Sequence, residues 1–337
     1  MAFLPFLHRV SDGERLSEAD AREAMSLILS GHASTAQIAG FLVAIKMRGE
    51  SGEEIVGFAK AMRERVVPVP VRLPAGEILV DTCGTGGDGL GTFNISTVSA
   101  LVLAGAGVRV AKHGNRSASG IFGSADLLEA LGVKLDVTPE TVARQIAEIG
   151  IGFLFAPAHH PSLQHVRQAR LELKMRTVFN LMGPLANPAG AQAQLIGAPS
   201  VEAAEMMAHA LTHLDVERAL VVHGLDGLDE ISTTGPTMVF EVEGRRVHKH
   251  VWTPADFAVP RAIMSKLIPA SREENIEWAR AILDGASGPA RDIVLVNAAA
   301  VLYLVGRVKD LRGGVAVAGE SIGSGAARAK LEALAQG

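Results

Sequence analysis

One stretch, Val67-Pro68-Val69-Pro70-Val71-Arg72-Leu73-Pro74, divides this chain into two parts of different character. Proline fixes its own φ, lacks an amide hydrogen and pushes the preceding residue to extended geometry. Alternate prolines therefore exclude a helix here, and the segment reads as a linker. Before it the apolar residues recur with helical period only. After it, short strand-like runs alternate with helices.

The N-terminal part carries three helix-start signals of the capping-box type. Ser17 and Asp20 open the first helix, Ser34 and Gln37 the second, and Ser51 and Glu54 the third. Each is followed by an apolar face, such as Ile38, Leu42 and Ile45 in the second. This pattern predicts an all-helical unit over residues 1–70. The stretch 162–190 also looks helical, with Pro184 and Pro188 as breakers, and is expected to return to that unit.

From residue 75 to 337 the reading is an α/β domain. Strands are expected at Ile78–Val80, Val108–Ala111, Val133–Val137, Ile151–Phe155, Gln194–Ala198 and Ala219–Val222, with helices between most of them. A hairpin is expected from Met238–Val242 and Arg246–Val251. Such alternation indicates a mainly parallel central sheet covered on both faces. The fold class is therefore a small all-helical domain plus a larger α/β domain.

Charge and cysteine content remove whole classes of function. Thirty-two basic against 36 acidic residues give a net charge of −4, without the basic footprint of a nucleic-acid binder. The single cysteine, Cys83, excludes an intramolecular disulfide and a cysteine-rich metal site, and no catalytic role is expected for it. The N-terminus lacks the pattern of a signal peptide, and no apolar run is long enough to span a bilayer. A soluble, cytoplasmic protein is expected.

Ligands of open α/β sheets bind beyond the C-terminal ends of the strands. After the first strand comes Asp81-Thr82-Cys83-Gly84-Thr85-Gly86-Gly87-Asp88-Gly89, whose glycines allow backbone N–H groups close to a phosphate. Alone it also fits an ordinary glycine turn. Its continuation, Thr92-Phe93-Asn94-Ile95-Ser96-Thr97, sets four polar side chains at a helix start, of which capping by Ser96 or Thr97 explains one. The second strand ends in Lys112-His113-Gly114-Asn115-Arg116-Ser117-Ala118-Ser119-Gly120, with Gly123-Ser124 opening the next helix. That loop is either a concentrated anion site or a solvated surface loop. A third loop, His223-Gly224-Leu225-Asp226-Gly227-Leu228-Asp229-Glu230, offers adjacent carboxylates of the kind Mg²⁺ accepts, although such pairs are often plain turn chemistry. His223 reads as structural.

In these motifs, together with Gly123-Ser124-Ala125-Asp126, Arg176-Thr177-Val178-Phe179-Asn180-Leu181 and Gly183-Pro184-Leu185, the chain resembles the anthranilate phosphoribosyltransferase family. The motifs occur in the family's order over most of the chain. The resemblance implies that phosphoribosyl pyrophosphate is held by Gly84, Gly87, Asp88, Thr92, Asn94, Ile95, Ser96, Thr97, Lys112, Ser119, Gly120 and Ser124. It implies Mg²⁺, two ions per subunit, on Ser96, Asp229 and Glu230, and anthranilate near Gly84, Asn115 and Arg170. Lys112, His113 and Asn115 are the residues it puts nearest the chemistry, and a homodimer through the helical domain is implied too.

Two positions depart from the family pattern. Leu171 stands where a second arginine is usual beside Arg170, and Gly120 where a serine is usual. The first leaves the acceptor side less secure than the donor side. A pyrimidine nucleoside phosphorylase of the same fold, a non-catalytic nucleic-acid-binding relative, and a transferase for another aromatic amine therefore stand as alternatives. An intact Asp229-Glu230 pair and the negative net charge speak against the first two.

Overall fold

A computed structural model of the chain describes residues 2–86, 89–117 and 122–337. Four helices open it: α1 (Leu4–Ser11), α2 (Glu18–Leu29), α3 (Thr35–Arg48) and α4 (Gly52–Arg63). The sequence patterns pointed to only three. Helix α1 has no polar N-cap, and its start signal is Pro5 within the first turn. The capping boxes of α3 and α4 form as expected, whereas Ser17 caps α2 by accepting the Asp20 N–H.

The larger part begins with β1 (Leu79–Gly84), α5 (Ile95–Gly105), β2 (Arg109–Gly114), α6 (Ser124–Ala130), α7 (Pro139–Glu148) and β3 (Ile151–Phe155). It continues through α8 (Ala156–His159), α9 (Gln164–Leu173), α10 (Phe179–Leu185), β4 (Ala193–Gly197), α11 (Val201–Leu211) and β5 (Arg218–Gly224). The hairpin β6 (Thr237–Glu243) and β7 (Arg246–Trp252) follows, then α12 (Arg272–Leu283), α13 (Pro289–Leu304), α14 (Leu311–Gly323) and α15 (Ala326–Gln336).

The strands form one seven-stranded sheet in the order β3-β2-β1-β4-β5-β6-β7. Strands β1 to β5 pair in parallel, and β6 and β7 add antiparallel to β5. The fold is thus a small helical domain on a larger α/β domain with a mostly parallel sheet. Side chains of alternate strand residues enter different cores. Leu220, Val222 and Val239 face the cluster built with α5, α13 and α15, while Ala219, Val221 and Phe240 face the cluster shared with α4, α10 and α11. The chain runs from β1 outward to β3, then returns through β4 to the other side, so the switch point lies between β1 and β4.

Two sequence expectations need correction. Val133–Val137 is not a strand. Val133 and Leu135 are buried and Lys134 and Asp136 exposed, as a strand would show, but no strand pairs with it. Alternation reports one buried face, which an extended segment lying on a core also has. Pro184 does not break its helix but sits in the last turn of α10. The proline-rich segment, read as a linker, is fastened along its length. The Val67 N–H donates to the His159 carbonyl at 2.8 Å and the Val69 N–H to the Pro188 carbonyl at 3.0 Å, so the amides between the prolines are used to fasten it.

Among its described residues the helical domain has one fully buried carboxylate. Glu54, fully buried, accepts from Arg48 at 2.6 and 3.2 Å and from the N–H groups of Leu16 and Ser51, each at 2.9 Å. Burial by itself raises this carboxyl's pKa, but Arg48 and the two N–H groups outweigh it and hold the acid below its usual value. Glu54→Gln keeps the shape and leaves Arg48 half-buried without its counter-charge. It is expected to lower unfolding stability by about 3 kcal/mol in urea titration.

Candidate active site

The three loops singled out in the sequence follow β1, β2 and β5, on one edge of the sheet. The first and third meet. The Gly86 N–H donates to Asp229 Oδ2 at 3.0 Å, and a Cβ placed on Gly84 would lie 2.7 Å from that same oxygen. A Cβ on Gly197, at the end of β4, would overlap the Asp229 carbonyl. Glycine is required at both places because the acidic loop lies directly on the strand ends. Thr85 closes the seam, its N–H donating to the Gly197 carbonyl at 3.0 Å.

The acidic loop is tied down from within. Asp226 accepts the hydroxyls of Ser232 and Thr234, and the Leu228 N–H at 3.3 Å. Asn297 of α13, fully buried, accepts the Ile231 N–H at 3.0 Å and donates to the Ile231 carbonyl at 3.0 Å. Asp229 and Glu230 are thereby fixed just before a clamped residue, each buried. His223 is structural in its contact, with Nδ1 2.9 Å from the Ala198 carbonyl.

Lys112 comes up beneath the glycine loop. It is buried, and its ammonium donates to the Thr82 carbonyl at 2.5 Å and to the His113 carbonyl at 3.4 Å. The Thr82 hydroxyl in turn donates to the Ser96 carbonyl at 3.0 Å, which ties β1 to the start of α5. Neither Ser96 nor Thr97 caps that helix, contrary to expectation. The N-cap residue is Asn94, without a side-chain capping bond, and the buried Thr97 hydroxyl has no partner among the described residues.

Behind the loops lies a buried acid to which the sequence reading gave no role. Asp81 accepts from Asn187 Nδ2 at 2.8 Å and from the His113 N–H at 3.1 Å. Burial raises its pKa, while Lys112 and the Asn187 amide act in the opposite direction. Asn187 also donates to the Ala111 carbonyl at 3.0 Å, joining β1 to β2 below the site. No local signal marked Asn187, because its partners lie far from it in the chain.

The second loop is less cationic than its composition suggests. Arg116 is paired with Asp126 and Glu129 of α6 at 3.0 and 2.7 Å, so its charge is spent on scaffold. Asn115 is exposed, its side-chain oxygen taking the Arg116 N–H at 2.8 Å and its carbonyl the Ser124 hydroxyl at 3.3 Å. Burial drives the His113 imidazole far below its usual pKa, with His160, Lys112 and His159 pushing the same way. His160, its ring 5.1 Å away, is lowered to about 4, again chiefly by burial. The Nε2 atoms of both rings are buried and have no hydrogen-bond partner among the described residues. Two neutral imidazoles thus stand side by side, and His160 was not anticipated from sequence.

Thr92 is half-buried just before α5, and Ile95 is buried in its first turn. Arg170 sits on α9, half-buried, its guanidinium 5.6 Å above the Phe179 ring, with burial lowering its pKa. No ion pair joins it to the loops among the described residues. Gly87, Asp88, Ser119 and Gly120 lie outside the described residues. A cavity of about 830 Å³ opens elsewhere, between the start of α4 and helices α10 and α11. It mixes Arg15, Lys46 and Arg176 with Glu50, Glu202 and Glu205, not the one-signed lining a pyrophosphate needs.

The donor set fits Mg²⁺. Asp229 and Glu230 offer hard oxygens, and Gly84 leaves the Asp229 carboxylate room beside the glycine loop. Among the described residues no group of three or more His, Cys, Asp or Glu could form a closed cage. Two carboxylates on one loop suit an ion that keeps waters and shares its remaining positions with a substrate's phosphates.

Such an arrangement, a helical domain on an α/β domain with anion loops and an acidic pair, defines a glycosyl transferase. The glycosyl transferase family's helical bundle domain matches residues 4–66, and its a/b domain residues 76–328. The chain is 57% identical to an anthranilate phosphoribosyltransferase of Solibacter usitatus, over 99% of this chain and 98% of that one. The crystal structure of anthranilate phosphoribosyltransferase from Thermus thermophilus superposes with a TM-score of 0.92, at 45% identity, covering 98% of both chains. The Saccharomyces cerevisiae enzyme in complex with PRPP and Mg gives 0.91 at 28% identity, covering 99% of this chain and 97% of that one. The chain belongs to the anthranilate phosphoribosyltransferase family.

The neutral buried histidines give a pH dependence of defined sign. Unfolded histidine binds a proton below its ordinary value of 6.5, whereas folded His160 resists until about pH 4 and burial holds His113 well below its ordinary value too. Stability is therefore intact above pH 6.5 and falls as pH drops from there toward 4, by about 1.4 kcal/mol per pH unit for each histidine. Thermal unfolding followed from pH 7 to 5 should show the decline, and His160→Gln should reduce its slope.

Proposed function

We propose that the cleft beyond β1, β2 and β5 transfers the phosphoribosyl group of phosphoribosyl pyrophosphate (PRPP) to the amine of anthranilate, releasing pyrophosphate, as a step of tryptophan biosynthesis. The observation that carries this reading is the Asp229 carboxylate held over Gly84 by the Gly86 N–H. It joins an acidic loop to a phosphate-type loop at the switch point of a parallel sheet.

On the donor side, the roles fall to Gly84, Gly87, Asp88, Thr92, Asn94, Ile95, Ser96, Thr97, Lys112, Ser119, Gly120 and Ser124. Backbone N–H groups of the glycine loop and of the start of α5 face the phosphates. Lys112, anchored on the Thr82 carbonyl, contributes fixed positive charge under the same loop. Ser96, Asp229 and Glu230 hold Mg²⁺, two ions per subunit. When bound there, the metal supplies positive charge against the pyrophosphate as it departs.

At the reacting carbon, the bond from C1 to the pyrophosphate oxygen breaks with its electron pair leaving on that oxygen. The state between is oxocarbenium-like, as in glycoside transfer. The aromatic amine is neutral at pH 7 and needs no strong base, so positioning by Arg170 and Asn115 is the main task on the acceptor side. Arg170 is suited to the carboxylate because its guanidinium is half-buried beside Phe179 and joined by no ion pair among the described residues. His113, kept neutral by burial and fastened by its N–H to Asp81, supports the loop of Asn115, and the proton that the nitrogen sheds once the C1–N bond has formed passes to water.

We read residues 1–70 with about 162–190 as the helical lobe and 75–337 as the donor lobe; α9 packing against α2 and α3 supports this division. The helical lobe is also the proposed homodimer contact, to which Met47 and Leu171 contribute exposed apolar side chains. A cytoplasmic location is proposed on the metabolic role, and no described helix is long and apolar enough to cross a membrane.

The test follows anthranilate fluorescence in the presence of PRPP and Mg²⁺. The expected result is a loss that requires both and is abolished by a chelator. Glu230→Ala should lower kcat/KM by about 10²- to 10³-fold, as removal of a charge-stabilising group does. Gly84→Val should displace Asp229 and raise the Mg²⁺ concentration for half-maximal rate. Arg170→Ala should raise the KM for anthranilate while leaving that for PRPP nearly unchanged. No fluorescence loss in a folded protein that binds PRPP would overturn the acceptor assignment.

A further inference from the structure

Asn94 begins helix α5 as its N-cap, yet its side chain does not cap it. An asparagine there ordinarily turns its oxygen onto the N–H groups of the first turn. Here the backbone forms an inverse γ-turn, with φ −74° and ψ 67° and the Ile95 N–H donating to the Phe93 carbonyl at 2.7 Å. The side chain points elsewhere. Asn94 Oδ1 accepts from Asn275 Nδ2 of α12 at 2.8 Å, and Asn94 Nδ2 donates to the Phe122 carbonyl at 3.2 Å. The Asn275 oxygen also takes the Asn94 N–H at 3.4 Å.

This changes what the helix offers a ligand. Thr97 and Val98 donate to the Asn94 carbonyl at 3.2 and 3.1 Å, whereas the Ser96 N–H has no partner among the described residues. An uncapped helix start with an open N–H group is an anion site, and a capping carboxamide would fill it. Asn275 is itself buried, and the residue before Asn94 is braced. The Phe93 N–H donates to the Leu267 carbonyl at 3.1 Å, and the Phe93 ring meets Trp278 edge-on at 5.9 Å.

We propose that Asn275 is a positioning residue for the phosphoribosyl donor: by engaging the Asn94 carboxamide it keeps the start of α5 uncapped and open to a phosphate. The same bonds fix Asn94 against Phe122, so the end of the glycine loop and the start of α6 hold one spacing. Each amide retains capacity, since Asn94 Oδ1 has a second lone pair and Nδ2 a second hydrogen for the ligand. The inference rests on the proposed function, in which the α5 start binds the donor.

The experiment is calorimetric titration of PRPP with Mg²⁺, without acceptor, into the full-length wild type, Asn275→Ala, Asn94→Ala and the double variant. Asn275→Ser is included as a milder change, and circular dichroism and Tm check folding. Asn275→Ala is expected to weaken PRPP binding about tenfold, the scale of one cap, with the KM for anthranilate unchanged. In the Asn94→Ala background, which has no carboxamide to swing onto the helix, the same change should have no further effect. A Kd unaltered in both Asn275 variants, or an equal loss in both backgrounds, would overturn the inference alone. Failure of the folded wild type to bind PRPP would overturn the functional reading and this inference with it.

Discussion

Everything in the site depends on a contact between two loops far apart in the chain, the Gly86 N–H on the Asp229 carboxylate. It forms because β1 and β5 flank β4 in one parallel sheet, which delivers their C-terminal ends to the same edge. Two glycines make the approach close enough, Gly84 under the carboxylate and Gly197 under the Asp229 backbone. A methyl group at either would push the acidic pair away from the glycine loop. The proposed chemistry needs opposite groups side by side, donors for phosphate and acids for metal. A shared N–H to carboxylate bond lets the two neighbours stabilise each other before any ligand arrives.

Buried carboxamides carry much of the remaining order. Asn187 joins β1 to β2 beneath the site, Asn297 clamps the residue after Glu230, and Asn275 holds Asn94. Each side chain can donate and accept at once without charge, so it satisfies two backbone strands or loops in a low-dielectric interior at modest desolvation cost. Charged side chains here are used differently. Arg116 is paired away on α6, while Lys112 is held by main-chain carbonyls beneath the loop.

The elements that the sequence misrepresented share a cause. Val133–Val137 has a strand's alternation but meets no neighbouring strand, and α1 lacks a polar cap although it buries Phe6 and Val10. Ser96 and Thr97 look like caps because hydroxyls at helix starts commonly are, but the helix already begins at Ile95, with Asn94 as its N-cap. Local pattern reports burial and preference, and cannot say whether a partner is present on the other side.

Features under local chemical control could be read directly along the chain. The helical start signals Ser34/Gln37 and Ser51/Glu54, the parallel-strand runs, the β6–β7 hairpin, and the loops carrying Gly84, Lys112 and Asp229-Glu230 were all legible, because turn, cap and strand preferences act over a few residues. Which of those residues face one another was settled by folding alone. It put Asp229 on Gly84, neutralised His113 beside an unanticipated His160, and withdrew Arg116 into the scaffold. The partners of Asn94, Asp81 and Ile231 come from Asn275, Asn187 and Asn297, each more than sixty positions away along the chain. A hydrogen bond across that separation leaves no periodicity in the sequence, because its geometry is set by the packing of the sheet and helices between.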